Sequence, residues 1–217
     1  MEVNFNADDF YEAMAFWYQQ SKKTLAEQMH VEVKGIVRNM IDITPPGDFS
    51  AKGLAAKRQG EGAVKRDLNK LFAPIPAAEK YPQTTYVPAG VMPKLHKRHR
   101  NRRGRVTGRR NYPVKPKDFN DYQRETIRKV GKLAAGWNRS AGRFGYRPPA
   151  WIWRHKSPGS VRVTVTDKYM RFTMINKVRY ASEQPDIERR IQYAINMQRN
   201  ALISRINNRW KESSPFR

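Results

Sequence analysis

His96 and His99 stand three residues apart in LHKRHR, a spacing at which two imidazoles can share a metal ion. A metal needs deprotonated imidazoles and further ligands, and here Lys94, Lys97, Arg98 and Arg100 crowd both rings. Membership of a phosphate-contacting tract is the simpler role for the two histidines. His155, in PAWIWRHKSPG, has the side chain of a general base. No Ser, Cys or carboxylate stands at a spacing that would make it half of a catalytic pair, so a structural role is expected of it. Asp42 and Asp67 are lone acids near helix ends, whereas a nuclease needs clustered carboxylates to hold Mg²⁺. Glycines occur in GEG at 60–62 and at Gly104 and Gly108, but the GxxxxGK[ST] phosphate loop is absent. The chain has no cysteine, which excludes disulfides, thiolate chemistry and Cys-based zinc sites. We expect no catalytic centre, no metal and no cofactor: this is not the sequence of an enzyme.

Positive charge is what the chain does concentrate. Lys94, Lys97, Arg98, Arg100, Arg102, Arg103, Arg105, Arg109 and Arg110 make up nine of the seventeen residues from 94 to 110, with no acid among them. An unpaired buried charge costs several kcal/mol, so these side chains belong outside a core. They are candidates for contact with DNA or with an acidic protein partner. Over the whole chain Lys plus Arg total 43 against 19 Asp plus Glu, a formal charge of +24. A field of that size draws in nucleic acid, acidic lipid or acidic protein, and does so less strongly as salt rises. Seven prolines fall between 73 and 117 (Pro74, Pro76, Pro82, Pro88, Pro93, Pro113 and Pro116) with little apolar periodicity. The segment therefore reads as an inserted, extended, basic arm that orders against something negative.

Aromatic residues crowd a second stretch: Trp137, Phe144, Tyr146, Trp151 and Trp153 within seventeen residues. Trp137 fits the apolar stripe of a helix. Trp151 and Trp153 follow two prolines and share a side if the chain there is extended. Together with Arg154 they are candidates for a subunit interface, with core packing and base stacking as the other readings.

The elements that must position these groups follow from periodicity. Asp8 or Asp9 can cap a long first helix whose apolar residues Met29, Val33, Ile36, Val37 and Met40 form one stripe, and Pro45-Pro46-Gly47 ends it. Gly35 marks a bend or a close crossing. Residues 47–60 read as a loop or loose turn, followed by a short helix from Glu61 to Phe72. A third helix runs from about Asp118, its expected cap, to Gly142. Strands at 160–166 and 169–175 alternate apolar and polar residues, with a two-residue turn at Asp167-Lys168. A last helix starts near Pro185 and presents Ile187, Ile191, Ala194, Ile195, Gln198, Leu202, Ile206 and Trp210 on one face. The expected class is α+β: a single domain over 1–217, with long N-terminal and C-terminal helices on a small antiparallel sheet and the basic arm inserted at 73–117. A lone hairpin is marginal in water, so the sheet needs another strand. Candidates are 150–154, 177–180 and 84–87, or a neighbouring subunit. The N-terminus lacks a basic-then-apolar signal and no run approaches eighteen apolar residues, which leads us to expect a soluble protein without membrane contact.

Two stretches carry more than generic physics. In ITPPGDFSAKGLAAKRQGEGAVKRDLNKLF (43–72) the elements are Thr44, Pro45 and Pro46, then Ala56-Lys57, Gly60-Glu61, Ala63-Val64 and Arg66-Asp67. In AAGWNRSAGRFGYRPPAWIWRHKSPGS (134–160) they are Gly136, Trp137 and Asn138, then Pro149, Trp151, Ile152, Arg154 and His155. Together the stretches resemble the tail-completion, or neck, proteins of tailed bacteriophages, the group related to the minor tail protein Z of phage lambda. The resemblance implies a non-enzymatic virion protein, assembled in the host cytoplasm, at the head–tail junction. It implies a homo-oligomeric ring, a hexamer matching the tail, between the connector or stopper and the tail terminator or tail tube, near the genomic DNA in its exit channel. It carries over no catalytic residue and no cofactor. Composition alone leaves a second class open, a non-catalytic nucleic-acid-binding protein of ribosomal or packaging type, and a weaker third, a nuclease.

Overall fold

The computed structural model describes residues 2–4, 25–76, 85–101, 104–156, 158–165, 170–179, 181 and 186–213. Helix α1 (Leu25–Ile43) buries the whole stripe Met29, Val33, Ile36, Val37 and Met40. It ends where Thr44 turns back, its backbone N–H and its hydroxyl both donating to the Met40 carbonyl. The expected cap at Asp8 or Asp9 lies outside the described residues.

Helix α2 (Gly53–Leu71) starts eight residues earlier than the sequence suggests. Of the residues expected to be a loop or loose turn, those from Gly53 on begin the helix itself, with Ala56 buried. Upstream, the Asp48 carboxylate accepts hydrogen bonds from the Ser50 and Ala51 N–H groups and from the Gln59 amide, which pins the chain at the entry to the helix.

Strand β2 (Phe72–Pro74) follows, then a 3₁₀ turn at Ala89–Val91 and helix α3 (Met92–Arg98). Strand β3 (Tyr112–Val114) runs parallel to β2, pairing Phe72 with Tyr112 and Pro74 with Val114. This corrects the expectation of an extended arm over 73–117. The segment returns to its starting point and closes a small lobe. Its apolar residues are too few to show a period, but they meet in space: Leu68, Leu71, Phe72, Met92, Val106, Val114 and Phe119 form one buried cluster. Backbone bonds from Arg110 to Lys70, from Val87 to Pro113 and from Ile75 to Val114 tie it down. Residues 77–84, Arg102 and Arg103 lie outside the described residues.

The expected helix from 118 to 142 is three pieces. Helix α4 (Pro116–Arg128) has Lys115, not Asp118, at its N-cap, with Pro116 in its first turn. Gly131, at φ +93°, takes a conformation closed to most side chains and breaks the helix. A 3₁₀ turn at Ala134–Trp137 leads into helix α5 (Asn138–Arg143). Helix α6 (Ala150–Trp153) is a single turn where an extra strand had been a candidate.

Strands β4 (Gly159–Val165) and β5 (Met170–Asn176) pair antiparallel from Gly159 with Asn176 to Val165 with Met170. That is the register a two-residue connection at Asp167-Lys168 requires, although 166–169 lie outside the described residues. The third strand comes from none of the expected places. It is β1 (Glu2–Asn4), which pairs antiparallel with β5 and gives the order β1-β5-β4.

Helix α7 (Ile187–Ser213) lies antiparallel on α1. Ile187, Ile191, Ala194, Ile195 and Leu202 are buried, with Phe172 and Met174 of the sheet, against the α1 stripe, while the side chains of Ile206 and Trp210, expected on the same face, lie outside the described residues. Gln198, the polar break in the apolar face, packs on Gly35, so that glycine marks a close crossing. The Gln198 amide donates to Glu32, whose carboxylate also accepts from Arg205 at 2.7 Å to both oxygens. Arg190 donates to the Ile43 and Gly47 carbonyls, supplying the cation that the last turn of α1 lacks. The chain is thus a mixed helix-and-strand protein with a main body and a smaller basic lobe. Helices α2 and α4 run from one into the other: α2 contributes Ala56 to the body and Leu68 to the lobe.

Candidate polyanion interface and the joint beneath it

Seven of the nine cations singled out in the sequence are described, and all seven are exposed. Lys94, Lys97 and Arg98 project from α3; Arg100, Arg105, Arg109 and Arg110 lie on the chain that returns to β3. That return is locally ordered. An antiparallel bridge joins Arg100 to Val106, and the Asn101 side chain accepts from the Arg105 N–H at 3.0 Å. The Gly104 N–H donates to the Asn101 carbonyl. Among the described residues none of the seven lies within 4.0 Å of a carboxylate, while the ion pairs present elsewhere use other cations.

One acid sits among them. Burial raises the Asp67 carboxyl, while the Val106 N–H it accepts and the charges of Arg100, Lys70 and Arg66 pull it back down. Asp67 thus marks a point where cations from α2 and from the return segment converge. Its N–H···O bond to Val106 fastens that segment to the helix.

His96 is not part of the phosphate-contacting surface. It is 3% exposed, with Nδ1 2.9 Å from the Tyr122 hydroxyl and the ring edge-on to Tyr122. Burial, with Arg100 adding to it, lowers its pKa to about 4, so it sits in the lobe as a neutral ring. His99 reaches the Tyr112 hydroxyl at 3.1 Å. Both histidines orient tyrosines of the lobe. Sequence reasoning missed this, although Met92, Leu95 and His96 at helical spacing were a signal for an inward face. Among the described residues no group of three or more His, Asp or Glu stands close enough to hold a metal ion.

The aromatic candidates separate. Because 150–153 is a helical turn, Trp151 and Trp153 do not share a side. Trp151 is 7% exposed within the main core, and Trp153 is 41% exposed. The pair is therefore not one anchor, and Trp153 alone stays available for a contact. Arg154 donates to the Arg128 carbonyl at 3.1 Å and so closes the end of α4. His155 Nε2 lies 2.9 Å from the Val130 carbonyl, the structural use expected of it.

Residues of the two motif-bearing stretches meet. Trp137 Nε1 donates to the Thr44 hydroxyl at 3.1 Å in the buried core. Asn138 donates to the Ile152 and His155 carbonyls. A side chain at Gly60 would stand 2.7 Å from Pro46 Cβ and 2.9 Å from Val130 Cγ1, so only glycine lets α2 come this close. The Gly60 contact sets α2, and with it the basic lobe, against the main body, while the Thr44–Trp137 and Asn138 bonds hold the body side of that contact together. No helix among the described residues is long and apolar enough to cross a membrane.

Comparison with known proteins adds no relative: no family model, no curated protein and no solved structure matches this chain.

Proposed function

We propose that this chain is a structural subunit of a phage neck: a non-catalytic tail-completion protein that forms a ring, six-fold to match the tail, and joins the tail to the head connector. What supports this reading most is that residues from the two stretches carrying the resemblance contact one another, within the main body and where α2 meets it. Thr44 bonds Trp137, Pro46 covers Gly60, and Asn138 holds the chain at His155. Contacts of this kind hold α2, which carries the basic lobe, at a set angle to the body, which is what a ring subunit facing two partners needs. The exposed Trp153 offers one apolar subunit contact, and the basic lobe offers a charged face to the polyanion of the neck.

Loss of the gene product from a phage that encodes it should leave filled heads and finished tails unjoined, as counted by electron microscopy of lysates. Joined, infectious particles in its absence would defeat the proposal. The second reading, a free nucleic-acid-binding protein of packaging type, draws on the same lobe. It calls for function of the monomer, so rings of the purified protein in negative stain separate the two.

A further inference from the structure

The basic lobe differs from a protein-docking surface in a specific way. Protein interfaces have an apolar centre, rich in aromatic residues and poor in lysine, inside a polar rim. Among the described residues from 56 to 128, Val91 is the one large apolar side chain that is exposed. Most aromatic residues of the lobe point inward: Phe72 and Phe119 are buried, Tyr112 and Tyr122 pack against the cluster with their hydroxyls taken by His99 and His96, and half-buried Tyr86 donates its hydroxyl to the Pro76 carbonyl. A single-stranded nucleic acid needs exposed rings on which bases can stack, and among its described residues the lobe offers no fully exposed ring. An anionic membrane favours basic surfaces that also carry an apolar side chain or face to insert, and the lobe has little beyond Val91.

The cations on its outside come from three separate pieces of chain and are held on a folded scaffold. Arg66 and Lys70 on α2, Lys94, Lys97 and Arg98 on α3, and Arg100, Arg105, Arg109 and Arg110 on the return segment are all exposed. From Tyr81 to Lys117 the sequence contains no acid. Duplex nucleic acid is the polyanion that such a surface fits, since its phosphates present about one charge per 1.7 Å of axis and need no apolar complement. Because the lobe is folded before it meets the ligand, the entropic cost of ordering a disordered arm does not arise.

We infer that the basic lobe is a binding surface for the phosphate backbone of duplex DNA, engaged without regard to sequence through cations of α2, α3 and the return segment. The inference rests on the neck reading for where the duplex is met, and deepens it by naming the ligand of the charged face. Phosphate contacts of this type position a duplex and carry no base information.

The test uses the full chain and 30-base-pair duplexes of unrelated sequence, with fluorescence anisotropy across a salt series. The duplexes should bind alike within about threefold, and binding should weaken by about a thousandfold between 50 and 200 mM salt. Changing Lys94→Gln, Lys97→Gln, Arg98→Gln and Arg105→Gln together should lower the salt slope by about 0.9 for each phosphate that is no longer neutralised, with circular dichroism and thermal midpoint unchanged. The control Arg189→Gln with Arg199→Gln, two exposed cations of α7, should leave the slope as it was. An unchanged slope in the folded quadruple variant overturns the inference. So does tighter binding to single strands, to polyglutamate or to phosphatidylserine vesicles than to duplex. Capture by polyglutamate with no duplex binding gives the lobe to an acidic protein and leaves the neck reading standing, because that reading fails only on assembly.

Discussion

In the main body the buried carboxylate of Glu32 is met by Arg205 and Gln198, and the three side chains lock α7 to α1 in one register. In the basic lobe the half-buried carboxylate of Asp67 has three cations nearby and a salt bridge to none of them among the described residues. The contrast shows two uses of charge. The body pairs its buried charge and so fixes how two helices meet. The lobe turns Asp67 to a backbone N–H and leaves the cations around it facing outward for a partner. Both parts rest on ordinary apolar cores, with Trp137 at the centre of one and Phe72 in the other, both fully buried.

This contrast can be broken by mutation, and the largest effect belongs to the body. Trp137→Ala removes a fully buried indole and its bond to Thr44, and should destabilise the whole chain by about 3–5 kcal/mol in urea unfolding. If the lobe keeps its hydrogen-exchange protection when the body unfolds, the two are more independent than α2 and α4 suggest. Leu71→Ala in the lobe should cost about 2–5 kcal/mol, with exchange protection lost over 53–128 before it is lost in α1 and α7.

The lobe should also respond to pH through His96. His96 takes up its proton near pH 4 when folded, while the unfolded chain takes it up nearer 6.5. The contribution of the neutral ring is therefore complete above about pH 6.5, falls as the pH drops toward 4 and levels off below that, a change on the order of a few kcal/mol. His96→Gln should flatten that part of the pH dependence of lobe unfolding; an unaltered profile would place His96 in water.

At the joint, Gly60→Ala should cost about 1–3 kcal/mol by pushing α2 from Pro46 and Val130, read as a lower thermal midpoint. The smallest effect is expected at the surface. Neutralising Lys94, Lys97, Arg98 and Arg105 together should change stability by less than about 0.5 kcal/mol per site, because none of the four has a carboxylate partner among the described residues. A large drop there would mean that the cations hold the lobe together instead of facing outward.

By itself the sequence determined what depends on neighbours in the chain. The α1 stripe, the alternation and register of β4 and β5, the inward face of α7 and the surplus of cations were all legible, since period and charge are local properties. The early start of α2 and the break at Gly131 were harder, because a glycine can sit in a helix or end one, and what packs against it decides. Only the tertiary structure decided the rest. β1 joins the sheet by pairing Glu2 with Ile175, the lobe closes by pairing Phe72 with Tyr112, and His96 turns inward because Tyr122 waits there. No window of sequence contains such a pair, so a basic segment that reads as an arm is a folded lobe. The few apolar residues that close it are buried by partners up to about fifty positions away in the chain.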